Sequence, residues 1–141
     1  MEISDRSVDE FLASLPEDVR DDLIRLDSEI VRVLAGHRRA LYTGRFWGGS
    51  DQEIIGYGSV TYPRSGGKQA EWFLVGLALQ KQYISVYVSA VEDGRYLAET
   101  LGPDLGRVKV GKSSIGFKRL EDIDLTKLSA LVARAREVTT P

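Results

Sequence analysis

Gly106-Arg107-Val108-Lys109-Val110-Gly111-Lys112-Ser113 satisfies the phosphate-loop spacing G-x-x-x-x-G-K-[ST], and its reading decides between two folds. A phosphate loop follows a buried strand, wraps phosphates with the N–H groups of a flexible turn and opens a helix at its lysine, inside a parallel α/β sheet. Both flanks here argue otherwise. Arg107 to Val110 alternate polar and apolar side chains with two β-branched residues, the pattern of an extended strand. Ser114-Ile115-Gly116-Phe117, which follows, is again strand-like. The stretch begins 36 residues from the C-terminus, which leaves little chain for the βα units a nucleotide fold would add. It is therefore read as strand, turn and strand, and nucleotide hydrolysis is not expected from it.

Upstream, the period is helical. Ser7-Val8-Asp9-Glu10 has the form of a capping box and predicts a short helix from Val8 to Ser14. Pro16 suits the start of a second helix, in which Val19, Leu23, Leu26, Ile30 and Val33 recur at intervals of four and three residues until Gly36. From Leu41 the period turns towards two. Ile54 to Tyr62 reads as one strand, with Ile54, Gly56, Gly58, Val60 and Tyr62 on one face and Ile55, Tyr57, Ser59 and Thr61 on the other. Pro63 to Lys68 reads as a loop and Glu71 to Leu79 as a second, doubly covered strand. After a turn at Gln80-Lys81-Gln82, Ile84, Val86 and Val88 give a third strand one core face, while Tyr83, Ser85, Tyr87 and Ser89 give it a hydroxyl-bearing face. A helix is expected over Asp93 to Leu101, stopped by Gly102-Pro103, followed by strands at Val108-Val110 and Ile115-Phe117. Asp124 then caps a last helix whose stripe is Leu125, Leu128, Leu131, Val132 and Ala135, with fraying from Thr139 onward. The order predicts one α+β domain over residues 1–141: an antiparallel sheet of about five strands flanked by N-terminal and C-terminal helices.

Composition narrows the function classes. With 141 residues, 43% of them hydrophobic, the chain needs no disulfide or metal to fold. It has no cysteine, which removes thiolate metal sites and a thiol nucleophile. No secretory leader is expected at Met1 to Arg6, and the longest apolar run, Phe73 to Leu79, is too short for a bilayer, so the expected setting is cytoplasmic. The net charge of −2 conceals an asymmetry. Residues 1–36 carry ten acids against four bases, whereas residues 37–120 carry seven against twelve. The basic middle suits an anionic partner.

Several segments carry a resemblance. They are Ser7-Val8-Asp9-Glu10-Phe11-Leu12, Trp47-Gly48, Ile55-Gly56-Tyr57-Gly58 with Tyr62, Trp72, Val75-Gly76, and above all Gly111 to Leu120 followed by Asp122-Ile123-Asp124. With these the chain resembles the YdhG-like family, a bacterial domain of unknown function that includes frataxin-like intracellular iron chaperones. The resemblance implies a compact α+β fold with flanking helices, a turn-and-strand role for the Gly-Lys-Ser run, and no established catalytic residues. It also implies iron as the metal to consider.

Two candidate sites follow. Glu17, Asp18, Asp21 and Asp22 form two i, i+4 carboxylate pairs on the first turns of a helix, a donor set for hard cations such as Fe²⁺ or Mg²⁺, although the helix dipole alone also accounts for acids there. The second is a groove on the sheet, left bare by Gly56 and Gly58, with Trp47, Tyr57 and Trp72 nearby and Lys112, Ser113, Lys118 and Arg119 to bind an anion. His37 has no second histidine or cysteine to share a metal. The expected function is a non-enzymatic domain that binds a small anion or a metal ion and needs no resident cofactor. A self-pairing or protein-interaction module is the alternative. Single-stranded nucleic acid binding through Tyr57, Tyr83 or Tyr87 is the weakest, because the net charge is negative.

Overall fold

The computed structural model describes residues 2–45, 51–63, 65–67, 69–81 and 83–139. Trp47 and Gly48, Arg64 and Lys68 of the expected loop, Gln82 of the expected turn, and Thr140 and Pro141 lie outside them. The chain begins with β1 (Glu2–Ile3), α1 (Val8–Ala13) and α2 (Glu17–Val33), then β2 (Arg39–Arg45), β3 (Asp51–Tyr57), β4 (Val60–Pro63) and β5 (Gln69–Trp72). It continues with β6 (Val75–Leu79), β7 (Ile84–Val88), β8 (Val91–Glu92), β9 (Arg95–Tyr96) and α3 (Leu97–Leu101). It closes with β10 (Lys109–Val110), β11 (Ser114–Phe117) and α4 (Leu125–Thr139).

The helix starts follow their predicted chemistry. The Ser7 hydroxyl accepts a hydrogen bond from the Glu10 backbone N–H at 3.0 Å, and an Asp124 carboxylate oxygen accepts one from the Lys127 N–H at 3.2 Å. The α2 stripe buries Leu23, Leu26 and Ile30, and α4 buries Leu128, Leu131, Val132 and Ala135. Both pack on one face of the sheet against Leu41, Ile55, Leu77, Val86 and Ile115.

Among the described residues the fold is α+β, with four α-helices and one seven-stranded antiparallel sheet in the order β1-β2-β3-β6-β7-β11-β10. That is more than the five strands expected. No helix of the described residues is long and apolar enough to cross a membrane. The two extra strands of the sheet are β1 and β2, and two expected strands do not run through. At Gly58 (φ +67°) the chain turns out of the sheet, so β3 stops at Tyr57 and β4 pairs instead with β5 as a separate arm. The expected strand over Glu71 to Leu79 is likewise divided at Phe73-Leu74 into β5 and β6. The expected helix over Asp93 to Leu101 begins only at Leu97, because Asp93 (φ 54°) and Gly94 (φ 78°) make a two-residue turn joining β8 to β9. The Gly106 to Ser113 stretch forms β10 and the turn into β11, where the Gly111 N–H donates to the Ser114 carbonyl at 2.8 Å.

The sheet's outer face divides into two halves. Over β2, β3 and β6 it is closed by aromatic packing. Gly56 and Gly76 are direct cross-strand partners, and the Tyr42 and Phe73 rings occupy the space their missing side chains leave. A Cβ on Gly56 would lie 2.4 Å from Tyr42 Cε1, and one on Gly76 would lie 2.7 Å from Phe73 Cε1. The bare strand face predicted at Gly56 is thus filled by the protein's own rings, with Trp72 4.6 Å from Phe73 between ring centroids. Gly76→Val is expected to lower the unfolding free energy by about 1–3 kcal/mol through overpacking. Urea denaturation measures this, and an unchanged midpoint would show that Phe73 moves aside freely.

Candidate functional site

The other half of the outer face, over β7, β11 and β10, is covered only in part, by the Tyr83 ring over Gly116 and by Tyr87. Alternation puts Ile84, Val86 and Val88 in the core and turns Ser85 and Tyr87 outward. The register then sets Ser114 beside Tyr87, Gly116 beside Ser85, and Lys109 beside Gly116. Small and hydroxyl-bearing residues therefore form a shallow floor. The walls come from the segment leading into β10 and from the chain leaving β11, and together they enclose a cleft of about 910 Å³.

Charge distinguishes this cleft. Arg107, Lys109 and Lys118 line it, and Asp122 is the acid among the described lining residues. All three cations are exposed. No side-chain hydrogen bond or ion pair engages them among the described residues. Asp122, by contrast, is already engaged: its carboxylate accepts from the Arg119 N–H at 3.1 Å, and its carbonyl accepts from the Arg107 N–H at 2.9 Å. The second of these bonds, with the Asp124 N–H donating to the Leu105 carbonyl at 2.8 Å, ties the lead into β10 to the segment before α4. The Tyr87 hydroxyl accepts from Gln80 Nε2 at 2.9 Å, and burial holds the phenol above its ordinary pKa.

The residues singled out in the sequence are only partly brought together. Lys118 lines the cleft. Lys112 and Ser113 form the β10–β11 turn outside it, with the Ser113 carbonyl accepting from the Val88 N–H at 2.9 Å. Arg119 turns towards α2, where its Nε donates to Asp22 Oδ2 at 2.9 Å. Trp72 belongs to the closed half of the face. Trp47 lies outside the described residues. Tyr57 is 1% exposed and points into the core on the opposite face, so it cannot share a groove with Trp72.

Glu17, Asp18, Asp21 and Asp22 do not form a metal cage either. Among the described residues no three histidine or acidic side chains gather around a common point. Asp22 instead accepts from both Arg119 Nε and the Leu120 N–H, at 2.9 and 3.1 Å. This corrects the metal expectation: successive acids on exposed helix turns fan outward, and the one that faces the protein has found a cation.

A second polar cluster is internal. Asp27, 6% exposed on α2, accepts from Arg39 through Nε at 3.0 Å and Nη2 at 2.7 Å, and from the Tyr57 hydroxyl at 2.7 Å. Burial first, and the Asp27 charge second, hold the Tyr57 phenol well above the ordinary tyrosine pKa, so it remains a donor. Arg39 Nη2 also reaches Asp9 at 3.0 Å. The carboxylate is saturated by partners from the protein itself, so this cluster serves the fold rather than a ligand.

The cleft residues that sequence reading did not assign are Arg107, Lys109, Ser85 and Ser114. A signal for the two cations was present, since Arg107 and Lys109 stand two apart in an alternating stretch and so share a strand face. No protein-family model, no curated protein and no solved structure matches this chain, so the cleft is read from its own geometry.

Proposed function

We propose that this chain is a non-enzymatic binding domain that holds a small anionic ligand in the cleft over β7, β11 and β10. The observation that carries this reading is the set of three cations, Arg107, Lys109 and Lys118, lining one cleft with no side-chain partner among the described residues, in a chain whose net charge is −2. Guanidinium and ammonium groups bind phosphate or carboxylate through charge-assisted hydrogen bonds, about twice as strong as neutral ones. Ser114 adds a neutral hydroxyl beside them. Kinship with the YdhG-like family belongs to the same proposal, supported by helices on both sides of an antiparallel sheet in the chain order and by the turn at Gly111 to Ser114.

The test is calorimetric titration with pyrophosphate, phosphosugars and dicarboxylates. At least one should bind, and Lys109→Glu should weaken it by about tenfold or more, the scale of one lost charged hydrogen bond. Stability should change by no more than about 0.5 kcal/mol, because the side chain is exposed and unpaired. Failure of every anion to bind, or binding indifferent to the charge reversal, would remove the proposal.

A further inference from the structure

Resting on the reading of this cleft as an anion site, we infer that its ligand also carries a flat aromatic ring beside the anion, the chemistry of a nucleotide. Tyr83 is the reason. It is a large side chain left 47% exposed, immediately before a strand whose core face is fully buried. Its ring is nevertheless seated: it lies against Gly116, where a Cβ would come within 3.1 Å of Tyr83 Cδ2 and 3.4 Å of Cε2. Gly116 is in register with both Ser85 and Lys109. The supported ring therefore sits on the cleft floor beside a cation, and both line the same space.

An exposed aromatic on a sheet with cations alongside is the arrangement on which bases stack while their phosphates are neutralised. Size permits such a ligand. The cleft, at about 910 Å³, has room for a ligand larger than a bare phosphate or carboxylate, within the roughly 300–1,000 Å³ of small-molecule sites. Of the Gly-Lys-Ser turn, Gly111 borders this surface, while Lys112 and Ser113 stand outside it. Ring and phosphate together could come from a free nucleotide or from a single-stranded nucleic acid.

Calorimetry of the full chain with three probes tests this: adenosine 5′-monophosphate, ribose 5-phosphate, and a short oligothymidylate. The monophosphate should bind about tenfold tighter than ribose 5-phosphate, the gain expected from stacking one base. Tyr83→Ala should abolish that difference, and Tyr83→Phe, which keeps the ring seated on Gly116, should preserve it. Equal affinities in the wild type, or a difference that survives Tyr83→Ala, would overturn the ring assignment and leave the anion site standing. No binding of any of the three would overturn the ring assignment, and the anion site falls with it if pyrophosphate and dicarboxylates also fail to bind. Oligothymidylate binding tighter than the monophosphate, and falling steeply with salt, identifies nucleic acid as the source; the reverse order identifies a free nucleotide.

Discussion

Asp27→Ala is expected to lower the unfolding free energy by about 2–4 kcal/mol, somewhat less than the cost of breaking a fully buried ion pair because the Arg39 side chain is 27% exposed. Total stability for such a domain is about 5–15 kcal/mol, so the variant should unfold at markedly lower urea. Removing the carboxylate strands two donors at once. The Tyr57 hydroxyl belongs to a fully buried side chain of the main core, and the Arg39 guanidinium loses a two-pronged partner at 3.0 and 2.7 Å. Asp9 does not replace it. That residue's side chain is 86% exposed, and exposed pairs contribute about 0–1 kcal/mol. Tyr57→Phe should be much milder, about 0.5–1.5 kcal/mol, because it removes one hydrogen bond and leaves Asp27 and Arg39 paired. Urea denaturation of both variants gives the comparison. A loss for Asp27→Ala no larger than that for Tyr57→Phe would mean that water reaches the cluster and that it is not a dry anchor between α2 and the sheet.

This cluster also marks where sequence reading stops. The α2 stripe was legible because Leu23, Leu26 and Ile30 repeat at the helical period, but Asp27 falls inside the same stripe, and periodicity alone does not say which cation will meet it. Arg39 comes from a strand twelve residues on. Tyr57 shows a sharper failure. The alternation through Ile54, Ile55, Gly56 and Tyr57 already places Tyr57 on the face opposite the glycines, so it could not line a groove built on them. The breaks at Gly58 and Phe73 were hidden for a different reason: alternation continues unbroken through a turn, and it reports faces without reporting partners. The Asp93-Gly94 turn was readable, since that dipeptide favours a hairpin, yet Tyr96 to Leu101 alone has enough helical character to extend a predicted helix backwards across it. At the cleft, Lys118 was found and Lys112 and Arg119 were misplaced. Nearness in sequence along a strand and turn is not a shared face.

Gly106→Ala is expected to be damaging on the same scale as Asp27→Ala, at about 2–6 kcal/mol, summing backbone strain and overlap of about 1–3 kcal/mol each. Gly106 opens the phosphate-loop pattern, and the fold requires it for another purpose. Its backbone sits at φ 140°, ψ −135°, a region closed to side chains. It forms an isolated bridge with Ile123. A Cβ there would lie 2.2 Å from the Asp122 carbonyl oxygen, a backbone atom that cannot swing away. That same oxygen accepts the Arg107 N–H, so the substitution should push the lead into β10 off its support and displace Arg107 and Lys109 from the cleft. Gly94→Ala is the control. Gly94 also has positive φ, at 78°, but a Cβ there meets nothing within 4 Å, so that variant carries the conformational cost alone, about 1–2 kcal/mol. Denaturation curves for the two variants separate strain from overlap, and anion titration separates stability from site geometry. If Gly106→Ala lost no more stability than Gly94→Ala and bound anions as the wild type does, the bridge to Ile123 would be incidental. The expected result is that Gly106→Ala falls further and binds more weakly even where it remains folded, because one glycine sets both the closure of the sheet edge and the position of the cations beside it.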